Sequence, residues 1–453
     1  RRSMQLFLVF QDPSFLAEGP ARLRAAMGAL LILMIAWVLS TERSKISWRL
    51  VVWGLALQFV FAGLVLQTSL GVVFFEWVNG LVAALLTYAE EGGRFIFGNL
   101  VSNNVPVGVV EGGQGFTETP GIVARTGAFF AFRIFPNIIF ISCLMTVLYH
   151  LGVMQRIVQL LTWIMQRTLR TSSAETLCAA SNIFVGLMES PLVIKPFIRG
   201  MTESELMAIM TVGMATISGS VLAAYAGMMA PFHPAAAGHL IAASVMSAPA
   251  AFVIAKLLVP ETGKPESLEV LDIQVQREKP DVNVIDAAAR GAAEGLKLAL
   301  VVGAMLIAFI ALVALANGVV EWAGSLVGFE GLSIEGMLGR VFAPVAWLLG
   351  ITWVDASVIG QLIGVDFVLN EFVAFVQFQS LLAGGTELQE RSVVIGIYAL
   401  ATFANFGSVA MTIAGLGEIA PERRQDLARL GMKSMFAGLL AAFLTATFAG
   451  MLT

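Results

Sequence analysis

Two apolar stretches of the chain each place a carboxylate where a membrane helix normally has none, and the two resemble each other. The first is Ser181-Asn182-Ile183-Phe184-Val185-Gly186-Leu187-Met188-Glu189-Ser190-Pro191, the second Gly364-Val365-Asp366-Phe367-Val368-Leu369-Asn370-Glu371-Phe372-Val373-Ala374. Each is followed, roughly thirty to forty residues on, by a hydrophobic segment broken at a Gly-Ser pair, Ser218-Gly219-Ser220-Val221 and Asn405-Phe406-Gly407-Ser408-Val409. A carboxylate in the bilayer core costs several kcal/mol unless it faces a partner or a polar cavity. The same costly arrangement occurring twice implies an internal repeat built around one polar site, which is a device of secondary transporters.

Composition fixes the solvent. With 58% hydrophobic and 13% charged residues over 453 positions, a water-soluble surface cannot be covered. Apolar runs of about twenty residues recur along the chain, so the bilayer is its solvent. No basic tract suggests nucleic acid. Cys143 and Cys178 form no disulfide framework, and His150, His233 and His239 are too scattered along the sequence for a metal motif. Arg22 and Arg24 precede an apolar run from Ala25 to Leu39 with no cleavage pattern after it, so it reads as the first membrane helix rather than a signal. The Glu111-Gly112-Gly113-Gln114-Gly115 stretch lacks the Lys-Ser/Thr of a phosphate loop.

Eight spans are expected, at 21–40, 50–68, 127–152, 204–229, 237–259, 297–320, 392–416 and 434–452, with 71–90 as a helix along one interface and 98–126 as an exposed loop. Segments 172–200 and 354–385 are too polar in the middle to span comfortably. Each reads as a re-entrant hairpin, tolerated only inside protein or beside water, or else as a kinked span. If both hairpins return to the side they enter, Arg43, Lys45, Arg49, Arg156, Arg167, Arg170, Lys195, Arg199, Lys256, Lys264, Arg277, Lys279, Arg290, Arg423, Arg424, Arg429 and Lys433 share one face. The opposite face between spans six and seven carries Glu321, Glu330, Glu335, Glu387 and Glu390 against Arg340 and Arg391. The positive-inside rule then puts both termini outside the cytoplasm, against the weight of Arg22 and Arg24. The expected fold is an all-α membrane protein with eight transmembrane helices and two opposed re-entrant hairpins in an inverted repeat. Residues 1–126 form a scaffold, 127–259 the first repeat and 260–453 the second.

Within this layout Glu189 and Glu371 fall at the hairpin tips. An ionised carboxylate only accepts hydrogen bonds, which suits the hydroxyls and N–H groups of an uncharged polar solute. A buried structural carboxylate bonded to helix-end N–H groups is the competing reading. Asn405 and Ser408, three apart, share a helix face and together donate and accept; interhelical bonding is their alternative role. Asn182 and Thr216, with backbone carbonyls freed at Val185 and at Thr216-Ile217, offer an oxygen shell for a cation. No His-Glu-x-x-His, Gly-x-Ser-x-Gly or other catalytic constellation lies in the spans, so an enzyme is not expected.

The stretches Ala179–Gly186 with Glu189-Ser190-Pro191-Leu192, Ala242–Ala250, Asn370–Phe375 and Phe403–Ser408 resemble the concentrative nucleoside transporter family, over nearly all of the chain from about residue 50. The resemblance implies a homotrimer in which each protomer has its own pathway. It implies that Leu187, Met188 and Glu189 on the first hairpin face the nucleobase. Glu371, Asn405 and Ser408 would hold the ribose, Val221 and Phe403 would line the pocket, and Asn182, Val185, Thr216 and Ile217 would hold sodium. Two positions depart from the family pattern. Leu187-Met188 stand where Gln-Thr is usual, and Asp366 stands where Lys is usual. The solute class is therefore better supported than its base, and a broadened or shifted base range is expected. The expected activity is sodium-coupled nucleoside symport by alternating access, without a cofactor. The alternative is a proton-coupled carrier of nucleosides or ribose-containing solutes. Chain length and the lack of a long extra N-terminal domain lead us to expect a bacterial inner membrane.

Overall fold

The structure is a computed structural model that describes residues 19–101, 104–110, 116–125, 130–267, 281–326, 328 and 331–453. The Glu111–Gly115 stretch, Arg277, Lys279 and Glu330 lie outside the described residues. Helices α1 (Gly19–Val38), α2 (Trp48–Gln67) and α3 (Ser69–Phe97) lead into a two-stranded antiparallel hairpin, β1 (Asn104–Val110) with β2 (Phe116–Arg125). That hairpin occupies the region expected to be an exposed loop, where alternating Val residues favour strands over coil. It is the one addition to an otherwise helical architecture among the described residues.

Two runs of elements then follow in the same order. The first is α4 (Phe130–His150), α5 (Val153–Leu169), a hairpin of α6 (Ser173–Asn182) and a 3-10 arm (Ser190–Gly200), a broken span of α7 (Glu203–Ala215) and α8 (Gly219–Met229), and α9 (Ala236–Leu258). The second is α10 (Val284–Leu326), α11 (Ile334–Leu348), a hairpin of α12 (Trp353–Val368) and α13 (Glu371–Ala383), a broken span of α14 (Glu390–Leu400) and α15 (Phe406–Ile419), and α16 (Arg424–Leu452). The first hairpin returns as a 3-10 arm, and Pro196 inside it removes an amide donor that an α-helix would need.

Eight described helices are long and apolar enough to cross a membrane, but they are not the expected eight. Segment 71–90, read as interfacial, belongs to the continuous 29-residue α3, which is long and apolar enough to cross a membrane. Segment 392–416, expected as a span broken at Asn405–Val409, is two short helices separated slightly earlier, at 401–405. Span 297–320 is the middle of a 43-residue helix. Helices α5 and α11 were not anticipated. In α5, Met154, Val158, Met165 and Leu169 fall on one face and are buried, the 3.6-residue spacing of an amphipathic helix.

The core is the α7–α8 span with α9 and α16, which are almost wholly buried, whereas α3 and α10 expose most of their surface. Close approach there relies on small residues, as membrane helix packing generally does. A Cβ at Gly438 of α16 would stand 2.8 Å from Met214 Cβ.

The base of the first hairpin is tied by polar bonds. Ser172 and Thr202 form capping boxes with Glu175 and Glu205 at the starts of α6 and α7. The two boxes are joined by a 2.5 Å hydrogen bond from Ser172 Oγ to Glu205 Oε1. Lys256 of α9 pairs with Glu175 at 2.8 Å and with Glu261 at 3.4 Å. Both ends of the hairpin therefore meet at one buried charged knot.

Candidate functional site

The two breaks meet. Unwinding at Thr216–Ser218 leaves the Met214 carbonyl without its helical partner. That oxygen accepts from Phe403 N at 2.7 Å and from Thr402 Oγ1 at 2.8 Å, both in the second break. The freed backbone groups of one broken helix are thus satisfied by the other, which is how irregular backbone persists at membrane depth.

Beside this crossing lies a polar cluster. Asn370 caps α13, its Oδ1 accepting from Val373 N at 2.9 Å. This places Glu371 at the first helical position, where the helix dipole favours a negative charge. Asn405 caps α15, its Oδ1 accepting from Ser408 N at 3.0 Å and Ser408 Oγ at 3.2 Å. Asn405 then donates from Nδ2 to Glu371 Oε2 at 2.8 Å, and Tyr225 of α8 donates to Glu371 Oε1 at 3.2 Å. Glu371 is 5% exposed and Asn405 2%. Two helix N-termini, one amide and one phenol therefore surround a single buried carboxylate. Tyr225 stacks on Phe375 with ring centres 4.2 Å apart and meets Phe372 edge-on at 4.8 Å, which fixes the direction of its hydroxyl.

A second cluster sits between the first hairpin tip and α7. Asn182 Nδ2 donates to Thr216 Oγ1 at 2.5 Å and to Val212 O at 3.2 Å, and Asn182 Oδ1 accepts from Ser190 Oγ at 3.0 Å. Thr216 Oγ1 donates to Val212 O at 3.0 Å. The tip turns at Gly186, whose φ of 111° suits glycine, and a Cβ there would stand 2.9 Å from Ser218 Cβ. Gly219 N donates to Phe184 O at 3.0 Å, tying the tip to the break. The Ile217 carbonyl accepts from Ser244 Oγ at 3.2 Å.

The structure thus brings together Glu371, Asn405 and Ser408, and separately Asn182 and Thr216. Val221 is buried one turn before Tyr225, on the same face of α8, and Phe403 is half-buried within the second break. Val185 lies in the tip beside Asn182, its N–H bonded to Ser181 O at 3.0 Å. Glu189 is exposed, and no hydrogen bond among the described residues joins it to the Glu371 cluster. Leu187 packs over Gly213 of α7, where an added Cβ would meet Leu187 Cδ1, and Met188 reaches Gly415 of α15. Asp366 is 1% exposed, and its Oδ1 has no hydrogen-bond partner among the described residues. Tyr225, Ser190, Ser244 and Met214 were not singled out from the sequence. A buried tyrosine four residues after Val221 in a broken span was the one available signal, since such a hydroxyl needs a partner.

Broken helices crossing beside opposed hairpins, with a buried carboxylate at their meeting point, define a multi-pass membrane transporter and not an enzyme. Residues 27–100 match the family model described as Na+ dependent nucleoside transporter N-terminus, 131–232 that described as nucleoside recognition (gate), and 239–450 that described as Na+ dependent nucleoside transporter C-terminus. The chain belongs to the Na+-dependent, or concentrative, nucleoside transporter family. An uncharacterised transporter of Bacillus subtilis is 43% identical over 425 residues, covering 94% of this chain and 98% of that protein. Sodium/nucleoside cotransporter 1 of Oryctolagus cuniculus is 35% identical over 448 residues, covering 96% of this chain and 64% of that longer protein. The structure of CNTnw in an inward-facing substrate-bound state is similar at TM-score 0.85 and 40% identity, over 96% of this chain and 98% of that one. A CNTnw variant in an outward-facing state also matches at TM-score 0.85.

Proposed function

We propose that the protein is a sodium-coupled symporter that imports nucleosides by alternating access, and that Glu371, Asn405 and Ser408 grip the ribose. The observation that carries this reading is the Glu371 carboxylate held between Tyr225 and Asn405 where two half-helices begin. A carboxylate fixed in this way accepts hydrogen bonds from sugar hydroxyls, while Asn405 and Ser408 both donate and accept. Val221 and Phe403 supply apolar walls. Glu189, with Leu187 and Met188 beside it on the hairpin tip, is assigned to the base side. The relatives named as sodium/nucleoside cotransporters support the solute class. Residues 127–259 and 260–453 are read as the two repeats and 1–126 as scaffold, with the first hairpin and its neighbours moving, and the assembly as a homotrimer in a bacterial inner membrane.

The test is uptake of a labelled nucleoside panel into proteoliposomes with and without a sodium gradient. Sodium-driven nucleoside uptake that free uracil and adenine do not compete is expected, because a site built for a hydroxyl penalises ligands lacking one. Efficient uptake of a free base would sink the ribose assignment. Uptake that follows a pH gradient and ignores sodium would favour the proton-coupled alternative.

The sodium site is assigned to Asn182, Val185, Thr216 and Ile217. Its donors are side-chain and backbone oxygens, the ligand type that a hard cation prefers. Asn182 turns its amide N–H toward Thr216, so ion binding calls for a flip that presents Oδ1 instead. Asn182→Ala should raise the sodium concentration for half-maximal uptake about tenfold, while the order of preferred nucleosides changes less. Identical wild-type uptake in sodium and choline buffers at fixed pH would refute the site.

A further inference from the structure

Asp366 and Glu371 flank the tip of the second hairpin. Asp366 lies in the last turn of α12, Glu371 opens α13, and the cap Asn370 stands between them. The two acids are 1% and 5% exposed. Glu371 acts electrostatically on Asp366, and both carboxylates act on the Tyr225 hydroxyl. Asp366 Oδ1 is buried without a hydrogen-bond partner among the described residues. Buried polar atoms are ordinarily satisfied, so an orphaned carboxylate oxygen beside a second carboxylate requires an explanation.

The surroundings treat the two acids unequally. Glu371 accepts from Asn405 at 2.8 Å and from Tyr225 at 3.2 Å, and it sits at the positive end of a helix dipole. Asp366 sits at the negative end of another. The elements packed around the hairpin bring it no cation. On α8, Tyr225 is the titratable group. On α11, Arg340 is exposed and Glu335 accepts from Asn317 at 2.8 Å. On α14, Glu390 is exposed, Tyr398 packs on the His239 ring, and Arg391 donates to the Gly350 carbonyl at 3.2 Å. The charged residues of α10 and Glu418 of α15 are exposed. Among the described residues Glu371 is therefore the charged group that acts on Asp366.

We propose that Asp366 is a proton-binding site, holding at neutral pH the one proton that it shares with Glu371. Two carboxylates in one buried site resist ionising together, so the pair keeps a proton. Its place follows from the neighbours: donors and a helix N-terminus favour charge on Glu371, and nothing favours it on Asp366. Burying a neutral acid also costs far less than burying a lone charge. A proton needs neither a cavity nor a shell of waters. Without it on Asp366, repulsion would draw a proton onto Glu371 and blunt that carboxylate as an acceptor. Asp366 is thus a positioning residue that keeps Glu371 charged. Its consequence for the solute rests on the ribose assignment; the proton site itself does not.

The test is infrared spectroscopy of the purified, detergent-solubilised protein without nucleoside, titrated with pH in H2O and in D2O. Near neutral pH the wild type should show the carbonyl stretch of a protonated carboxylic acid, shifted in D2O, that Asp366→Asn lacks. Asparagine copies the neutral acid in shape, so the variant is expected to fold. In Glu371→Gln the repelling charge is gone, so the Asp366 band should disappear at a pH at least about one unit lower than in the wild type. That variant carries the test if Asp366→Asn does not fold. An acid band that is the same in the wild type and Asp366→Asn, or one with an unmoved pH midpoint in Glu371→Gln, would overturn the proposal. No nucleoside is present, so failure of the ribose assignment would leave these spectra unchanged.

Discussion

Glu371→Gln should reduce nucleoside uptake by at least about 100-fold in kcat/KM, with protein yield and thermal unfolding little changed. The substitution preserves shape and removes charge. Glu371 accepts from Asn405 at 2.8 Å and from Tyr225 at 3.2 Å. A glutamine carbonyl can keep one of these bonds, but its amide then faces the other donor. Hydrogen bonds to a charged acceptor contribute about 1.5–3 kcal/mol each, so weakening two to the substrate amounts to roughly 3 kcal/mol or more, and 1.4 kcal/mol is a factor of ten. The effect should fall on every accepted nucleoside alike, since the ribose is common to all. Uptake by the glutamine variant within about threefold of wild type would show that Glu371 is only a structural carboxylate.

The largest loss of stability is expected at the knot beneath the first hairpin. Lys256→Met removes the cation paired with Glu175 at 2.8 Å and leaves that carboxylate beside Glu205, which is linked to it through Ser172. Both Glu175 and Glu205 are 1% exposed. Breaking a buried pair by deleting one partner costs about 3–5 kcal/mol, because a charge is left buried and alone. The variant should melt well below wild type in detergent. Adding Glu175→Gln to it should restore much of the difference, as neutralising both partners removes the orphan charge. A Lys256→Met variant that melts like the wild type would mean that the pair contributes nothing.

The sequence made the site legible where chemistry was costly. Glu371, Asn405, Asn182 and Thr216 stood out because polar groups in apolar segments demand partners, and the structure supplies those partners within bonding distance. Partners whose residue type carries no such penalty stayed hidden. Tyr225 reads as an ordinary apolar-helix residue until its hydroxyl is seen at Glu371. The Met214 carbonyl is backbone, so no side chain announces that the two breaks meet there. Hydropathy located most spans but misread 71–90 as interfacial. It did not place the break in 392–416, which the Gly-Ser pattern put at Asn405–Val409 and which begins already after Leu400. Nor does it show where a helix continues beyond its apolar part, as α10 does. The directions of Leu187 and Met188 depend on Gly213 and Gly415, distant in sequence, whose missing side chains make room for them.

The length of α10 ties the protein to the thickness of its membrane. At 1.5 Å per residue its 43 residues extend about 65 Å, roughly twice the hydrocarbon depth of a bilayer. The uncharged stretch 298–320 alone measures about 35 Å, longer than about 30 Å of hydrocarbon, so it spans with some tilt. The helix cannot adjust that slope alone, because Gly291 and Gly295 bring its backbone against Cys143 and Ile139 of α4 with no room for a side chain between them. Longer acyl chains would stand α10 more upright and draw α4 with it, and α4 leads through α5 directly into the first hairpin. Lipid chain length thereby becomes a mechanical input to the same hairpin whose tip carries Asn182.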